Sequence, residues 1–171
     1  MAIRNVRTFS DEALHKVCRP YTEFGERLHT LLDDMKDTLV KEDGVGLAAP
    51  QVGICRCACV VLETNVEEGQ DEYMIELVNP EILSSDGEQE GCEGCLSLPG
   101  KYGIVKRPEH VVVRAQDRFG KPFTVEGFGL TARAFCHEID HLGGVVFTEK
   151  VERMLSEEEL AEMYGGKEEE K

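Results

Sequence analysis

No window of this chain reaches the roughly 18 apolar residues of a membrane-spanning helix, and the opening Met1-Ala2-Ile3-Arg4 lacks the apolar core of a signal peptide. A cytoplasmic protein with no membrane partner is therefore expected. Cations are scarce as well, with 19 Lys and Arg against 34 Asp and Glu and a formal charge of −15. Spread evenly, that charge repels nucleic acid and anionic lipid, so direct nucleic-acid binding is not expected. The chain also lacks an even set of cysteines. Seven in irregular spacing do not make a complete disulfide framework, and in a reducing compartment such residues are buried thiols or metal ligands.

What is present is length enough for a core. A chain of 171 residues fits one domain and buries about 70% of its unfolded surface. Ser10-Asp11-Glu12 offers a helix start, closed by Pro20. Phe24, Leu28, Leu31, Leu32, Met35 and Leu39 then form a helical stripe, which predicts a core-facing helix over 24–41. It must stop by Gly44, where Gly44-Val45-Gly46-Leu47-Ala48-Ala49-Pro50-Gln51-Val52-Gly53 begins. Backbone of that kind can approach a ligand closely, although alone it reads first as an ordinary tight connection.

Ile54 to Leu62 reads as a buried strand with Cys55, Cys57 and Cys59 on one side as small core residues. A strand over Met74–Val78 is expected to end at Asn79-Pro80, and another short one to precede Ser85-Asp86-Gly87. His110 to Arg114 and Phe123 to Val125 flank the turn Asp117–Lys121, which predicts an antiparallel hairpin with a structural His110. The stretch from Glu90 to Gly100 reads as a loop. Its Cys92 and Cys95 have C-x-x-C spacing, which suits a zinc knuckle or a redox pair. Ser156-Glu157-Glu158-Glu159 is a capping box for a last helix, and about 165–171 reads as a flexible acidic tail.

The sharpest signal is His137-Glu138-Ile139-Asp140-His141. Two imidazoles four apart on a helix share a face and can grip one ion, with Glu138 placed to move protons rather than ligate. The pattern is short, and a His pair on a helix can be mere surface or core. Cys92, Cys95, His137 and His141 would make a closed four-ligand site, but such a site has no water for Glu138 to act on. An open site needs three ligands.

GVGLAAPQ at 44–51, EGCLSLP at 93–99 and HEIDH at 137–141 resemble the three signature motifs of bacterial peptide deformylases, in the family's order. The resemblance implies that Cys95, His137 and His141 hold one divalent metal, Fe2+ in the family, while the ligand set also suits Zn2+, Ni2+ or Co2+. It implies that Gln51 and the backbone of Leu96 hold the substrate carbonyl, and that Glu138 is the general base and acid for a metal-bound water. The reaction implied is removal of formyl from the initiator methionine of nascent polypeptides, with release of formate. Val45, Gly46, Glu93, Gly100, Leu130 and Ala134 are the implied substrate-binding residues. Many members carry Glu and Arg where this chain has Gly100 and Tyr102, and well-known members end in a basic helix that docks on the ribosome, whereas this C-terminus is acidic. Transient proximity to the ribosome, without a docking tail, is the expectation.

Other readings fit less of the chain. A metzincin needs a third histidine where this sequence has Phe147. A thermolysin-like protease recruiting Glu162 leaves Cys95 unexplained, and a metal-stapled binding module leaves Glu138 without work. The expected fold is a single α+β domain, 1–171, with antiparallel strands packed around a central metal-binding helix over 130–142 and an outer N-terminal helix.

Overall fold

The computed structural model describes residues 2–165, so most of the expected acidic tail lies outside the described residues. The architecture is α+β, built from helix α1 (Glu26–Glu42), strands β1 (Gly46–Ala48), β2 (Ala58–Glu63), β3 (Tyr73–Asp86), β4 (Gln89–Cys95), β5 (Leu98–Arg107), β6 (His110–Gln116) and β7 (Pro122–Phe128), helix α2 (Leu130–Leu142), strand β8 (Val151–Met154) and helix α3 (Glu157–Gly165). No helix among the described residues is long and apolar enough to cross a membrane.

The strands form a five-stranded sheet in the order β1-β2-β3-β6-β7 and a three-stranded sheet in the order β4-β5-β8, and every strand pair is antiparallel. Strand β2 explains how two helices share the larger sheet. Its side chains alternate between faces, so Cys59 and Val61 pack with Ala132, Phe135 and Cys136 of α2, while Ala58 and Val60 pack with Leu28, Leu32 and Leu39 of α1. Burial on both faces is why this segment reads as a continuous apolar run rather than an alternating one. Strand pairing proper begins at Ala58, with Cys55 and Cys57 packed partly buried against the core just before it.

Helix α1 follows its stripe, burying Leu28, Leu31, Leu32, Met35 and Leu39. It also buries Asp34 and Thr38, which receive hydrogen bonds from the backbone N–H groups of Ala2 (2.7 Å) and Arg4 (2.9 Å). The N-terminal strap is thereby tied along the helix. The capping box at the start of α3 is present: Glu159 N–H donates to Ser156 Oγ and Ser156 N–H to Glu159 Oε2, both at 3.1 Å.

Two expectations are corrected. The chain does not leave the sheet at Asn79-Pro80, because β3 runs on to Asp86. Asn79 adopts a left-handed φ of 50° and its side chain bonds both backbone groups of Tyr21. Pro80 falls where the register shifts between Val78 and Glu81, so its missing N–H removes no ladder bond. The segment from Glu90 to Gly100 is not a loop, since β4 and β5 pair through most of it. A Cβ on Gly94 would lie 2.5 Å from the Tyr102 ring, so the glycine marks a close cross-strand approach.

Candidate metal centre

Three segments meet at the side of α2. The Nε2 atoms of His137 and His141, one helical turn apart, lie 3.2 Å from each other, and Cys95 Sγ at the end of β4 lies 3.5 Å from His141 Nε2. These three donor atoms fall within 4.8 Å of one another, the one such His/Cys/Asp/Glu group among the described residues. Nitrogen and sulfur donors converging this closely fit a divalent ion. Burial, then the charge on His137, holds His141 down to about 3, while on His137 burial is outweighed by bonds to Cys95 and Glu93 that push it up to about 10, so binding an ion at this pair displaces the His137 proton. The structure does not bring Cys92 to the group; its side chain is exposed on β4. A closed four-ligand site therefore has no fourth ligand there. Glu162 is likewise exposed, on α3.

Beneath His137 lies a buried ionic network. Glu93 Oε1 bonds His137 Nδ1 at 2.5 Å, leaving Nε2 free to face Cys95 and His141. Arg107 reaches both oxygens of Glu93 (2.6 and 3.1 Å), and Arg133 adds a bond to Oε2 at 2.8 Å. Arg107 also bonds Asp140 at 2.7 Å, joining β5 to the ligand helix a second time. Burial opposes the charge on Glu93, but the bonds from His137 and Arg107 prevail and hold it well below the usual carboxylate range. Glu93 lines the cleft, yet its carboxylate is spent on these partners rather than offered to a ligand.

Glu138 is 3% exposed, with Oε1 4.0 Å from His137 Nε2 and Oε2 without a hydrogen-bond partner among the described residues. Burial is the main cause that raises it to about 7. Gly46 lets β1 pass directly over it, since a Cβ there would lie 2.7 Å from Oε1. Gln51, in the 3-10 turn Ala49–Val52, accepts from Ala48 N–H (2.9 Å) and donates from Nε2 to Ser97 Oγ (3.1 Å), with Cys95 Sγ 3.5 Å away.

A cleft of about 420 Å³ opens over these groups, within the usual range of ligand sites. Of the residues singled out in the sequence, Val45, Gly46, Gln51, Cys95, Leu96 and Gly100 line it from one side. Leu130, Ala134, His137 and Glu138 line it from α2, while His141 lies fully buried behind. Four residues with a part here were not singled out: Ser97, Arg107, Arg133 and Asp140. Ser97 and Asp140 sit inside the motifs themselves, a signal that was available. The arginines pair with Glu93 across 14 and 40 residues, which no local pattern encodes.

The family model for polypeptide deformylase matches residues 3–157. Peptide deformylase 1 of Bacillus subtilis is 52% identical over 165 residues, covering 96% of this chain and all of that protein. The peptide deformylase of Caldicellulosiruptor bescii is 52% identical over 160 residues, 94% of this chain and 92% of its own. Among solved structures, a peptide deformylase from Legionella pneumophila superimposes with a TM-score of 0.80 at 43% identity, covering 99% of this chain and 96% of that one. That from Thermotoga maritima gives a TM-score of 0.80 at 35% identity, covering 90% and 100%. The shared fold, the near-complete coverage and the motifs at the centre of the cleft agree: the chain belongs to the peptide deformylase family of enzymes.

Proposed function

We propose that this protein removes the N-formyl group from the initiator methionine of nascent polypeptides, as a hydrolase dependent on one divalent ion at Cys95, His137 and His141. The observation that carries the reading is the convergence of those three donors beside the buried Glu138, whose Oε2 has no hydrogen-bond partner among the described residues. An ion held there supplies a Lewis acid and brings water within reach of deprotonation near neutral pH. By resemblance that ion is Fe2+; Zn2+, Ni2+ and Co2+ suit the same donors.

The chain's own groups have distinct parts. Glu138, raised to about 7, takes a proton from the attacking water and returns it to the leaving amine as the carbon–nitrogen bond breaks, giving formate and a free N-terminus. Gln51 Nε2 and the Leu96 backbone N–H hold the carbonyl oxygen as it gains charge, and one such donor contributes about 3 kcal/mol. Glu93 fixes the His137 ring so that Nε2 faces the ion. Val45 and Leu130, 38% and 48% exposed at the mouth, with Ala134 between α2 and the cleft, form the apolar wall for methionine. Gly46, on the edge strand β1, and Gly100 bring backbone to the wall of the cleft, where an extended peptide can pair with it. The partners are then formylated nascent chains met at the ribosome in the cytoplasm. Helix α3 bears Glu157, Glu158, Glu159 and Glu162 with no Lys or Arg, which opposes docking on RNA.

Formate release from a formyl-Met peptide, measured on anaerobically purified protein with its metal content, tests the proposal. Absence of formate from protein carrying one equivalent of Fe2+, Zn2+, Ni2+ or Co2+ overturns it.

A further inference from the structure

We propose that the methionine pocket contains a guanidinium donor, Arg133, and that the protein therefore deformylates peptides beginning with formyl-methionine sulfoxide as well as formyl-methionine. This rests on the deformylase reading above and narrows its substrate class. Leu130, Arg133, Ala134 and His137 recur at helical spacing, so one stripe of α2 faces the cleft, and all four line it. A stripe that receives a thioether needs only apolar groups. This one carries a cation whose side chain is 8% exposed.

The alternative is that Arg133 serves only to hold Glu93. That carboxylate already receives Arg107 on both oxygens and His137 on one, so the bond from Arg133 Nη1 is a third layer of support. Arg133 also spends Nη2 on Val105 O at 3.1 Å. Two of five N–H groups are thus used, and Nε–H has no acceptor among the described residues. Across the guanidinium lies Gly91 of β4, where a Cβ would stand 3.2 Å from Nη2 and 3.6 Å from Cζ. Glycine at that position leaves the guanidinium room to lie against β4, with Nη2 on Val105 O, while its edge lines the cleft.

Oxidation of methionine replaces a weak acceptor, the thioether sulfur, with a strong one, the sulfoxide oxygen. An apolar pocket strips that oxygen of water without return, which costs roughly ten- to hundredfold in binding. A charge-assisted bond from Arg133 compensates a penalty of that size. The pocket therefore tolerates an oxidised first residue where an all-apolar one would reject it.

The test compares kcat/KM for formate release from formyl-Met-Ala-Ser and from each sulfoxide epimer of the same peptide, using metal-loaded enzyme of measured metal content. In the wild-type protein at least one epimer is expected within about tenfold of the thioether peptide. In Arg133→Leu the sulfoxide-to-thioether ratio falls about tenfold or more; taking a ratio removes any general damage from the loss of a Glu93 partner. Arg133→Gln, which keeps a polar side chain beside Glu93 and Val105 but removes the charge and the fork of donors, lowers the ratio in the same direction and stands as the second variant should Arg133→Leu fail to fold. A wild-type ratio poorer than tenfold for both epimers, or a ratio unchanged in the variants, overturns the inference while leaving the deformylase reading intact. Failure to release formate from the thioether peptide overturns both.

Discussion

Ser97 Oγ accepts a hydrogen bond from Gln51 Nε2 at 3.1 Å, and the backbones of the same two residues are held by one strap: Arg7 N–H donates to Gln51 O at 2.6 Å and Phe9 N–H to Ser97 O at 3.1 Å. Ala48 N–H fixes the other end of the Gln51 amide. With Oε1 and one N–H occupied, the second N–H points to Cys95 and the reacting centre. Ser97 is thus a positioning residue for Gln51, the donor proposed above for the substrate oxygen. Ser97→Ala is expected to lower kcat about tenfold, the worth of one lost hydrogen bond, with KM and metal content little changed. A rise in KM at constant kcat would show that Ser97 serves substrate binding instead.

Glu138→Gln keeps the size of the side chain and removes its ability to carry a proton. Metal content is expected to stay near one equivalent while turnover falls by about 10²- to 10⁴-fold. Loss of the ion from a folded variant would make Glu138 a ligand and sink the role given to it here.

Much of this centre was legible in sequence because its parts are local. His137 and His141 lie one turn apart whatever surrounds them, and the stripe of α1 needs only its own periodicity. The expected loop at 90–100 failed for the opposite reason. Glycine at 91 and 94 looks like turn chemistry, yet Gly94 is there because the Tyr102 ring leaves no space for a side chain. Asn79-Pro80 misled in the same way, since the bonds from Asn79 to Tyr21 and Gln116 that keep the strand going reach 58 and 37 residues away.

Cys92 and Cys95 separate the open site from the closed one. Cys95→Ala is expected to lose metal and activity together, whereas Cys92→Ser retains its metal, because only Cys95 faces the imidazoles. Equal metal loss from both variants, measured by elemental analysis after dialysis, would restore the four-ligand arrangement.

Glu93 and Arg107 are 4% and 3% exposed, so neither can lose its partner cheaply. Arg107→Leu takes two bonds from Glu93, which keeps Arg133 and His137, and one from Asp140, which keeps Lys150, and is expected to cost about 1.5 to 3 kcal/mol in urea unfolding. Glu93→Gln is expected to weaken metal affinity about 10- to 100-fold in chelator competition, since His137 loses the carboxylate that orients it. An unchanged affinity would mean that the helix alone aims the ring.

Arg118 reaches from the β6–β7 turn to clamp Glu76 of β3 and Asp33 of α1, and Lys36 bonds Glu76 at 2.8 Å. Burial pushes the Glu76 carboxyl up, but Arg118 and Lys36 outweigh it and hold the folded value below the ordinary 4.5. A depressed folded value means that the contribution is complete above the ordinary pKa and is lost as pH falls through the folded one. Glu76→Gln removes the titration while leaving Arg118 its bond to Asp33. The gap in urea midpoint between wild type and Glu76→Gln is therefore expected to be widest above the ordinary 4.5 and to close as the solution is acidified below it. A gap that stays constant across that range would mean that the clamp holds by shape and hydrogen bonding alone, with the charge on Glu76 contributing nothing.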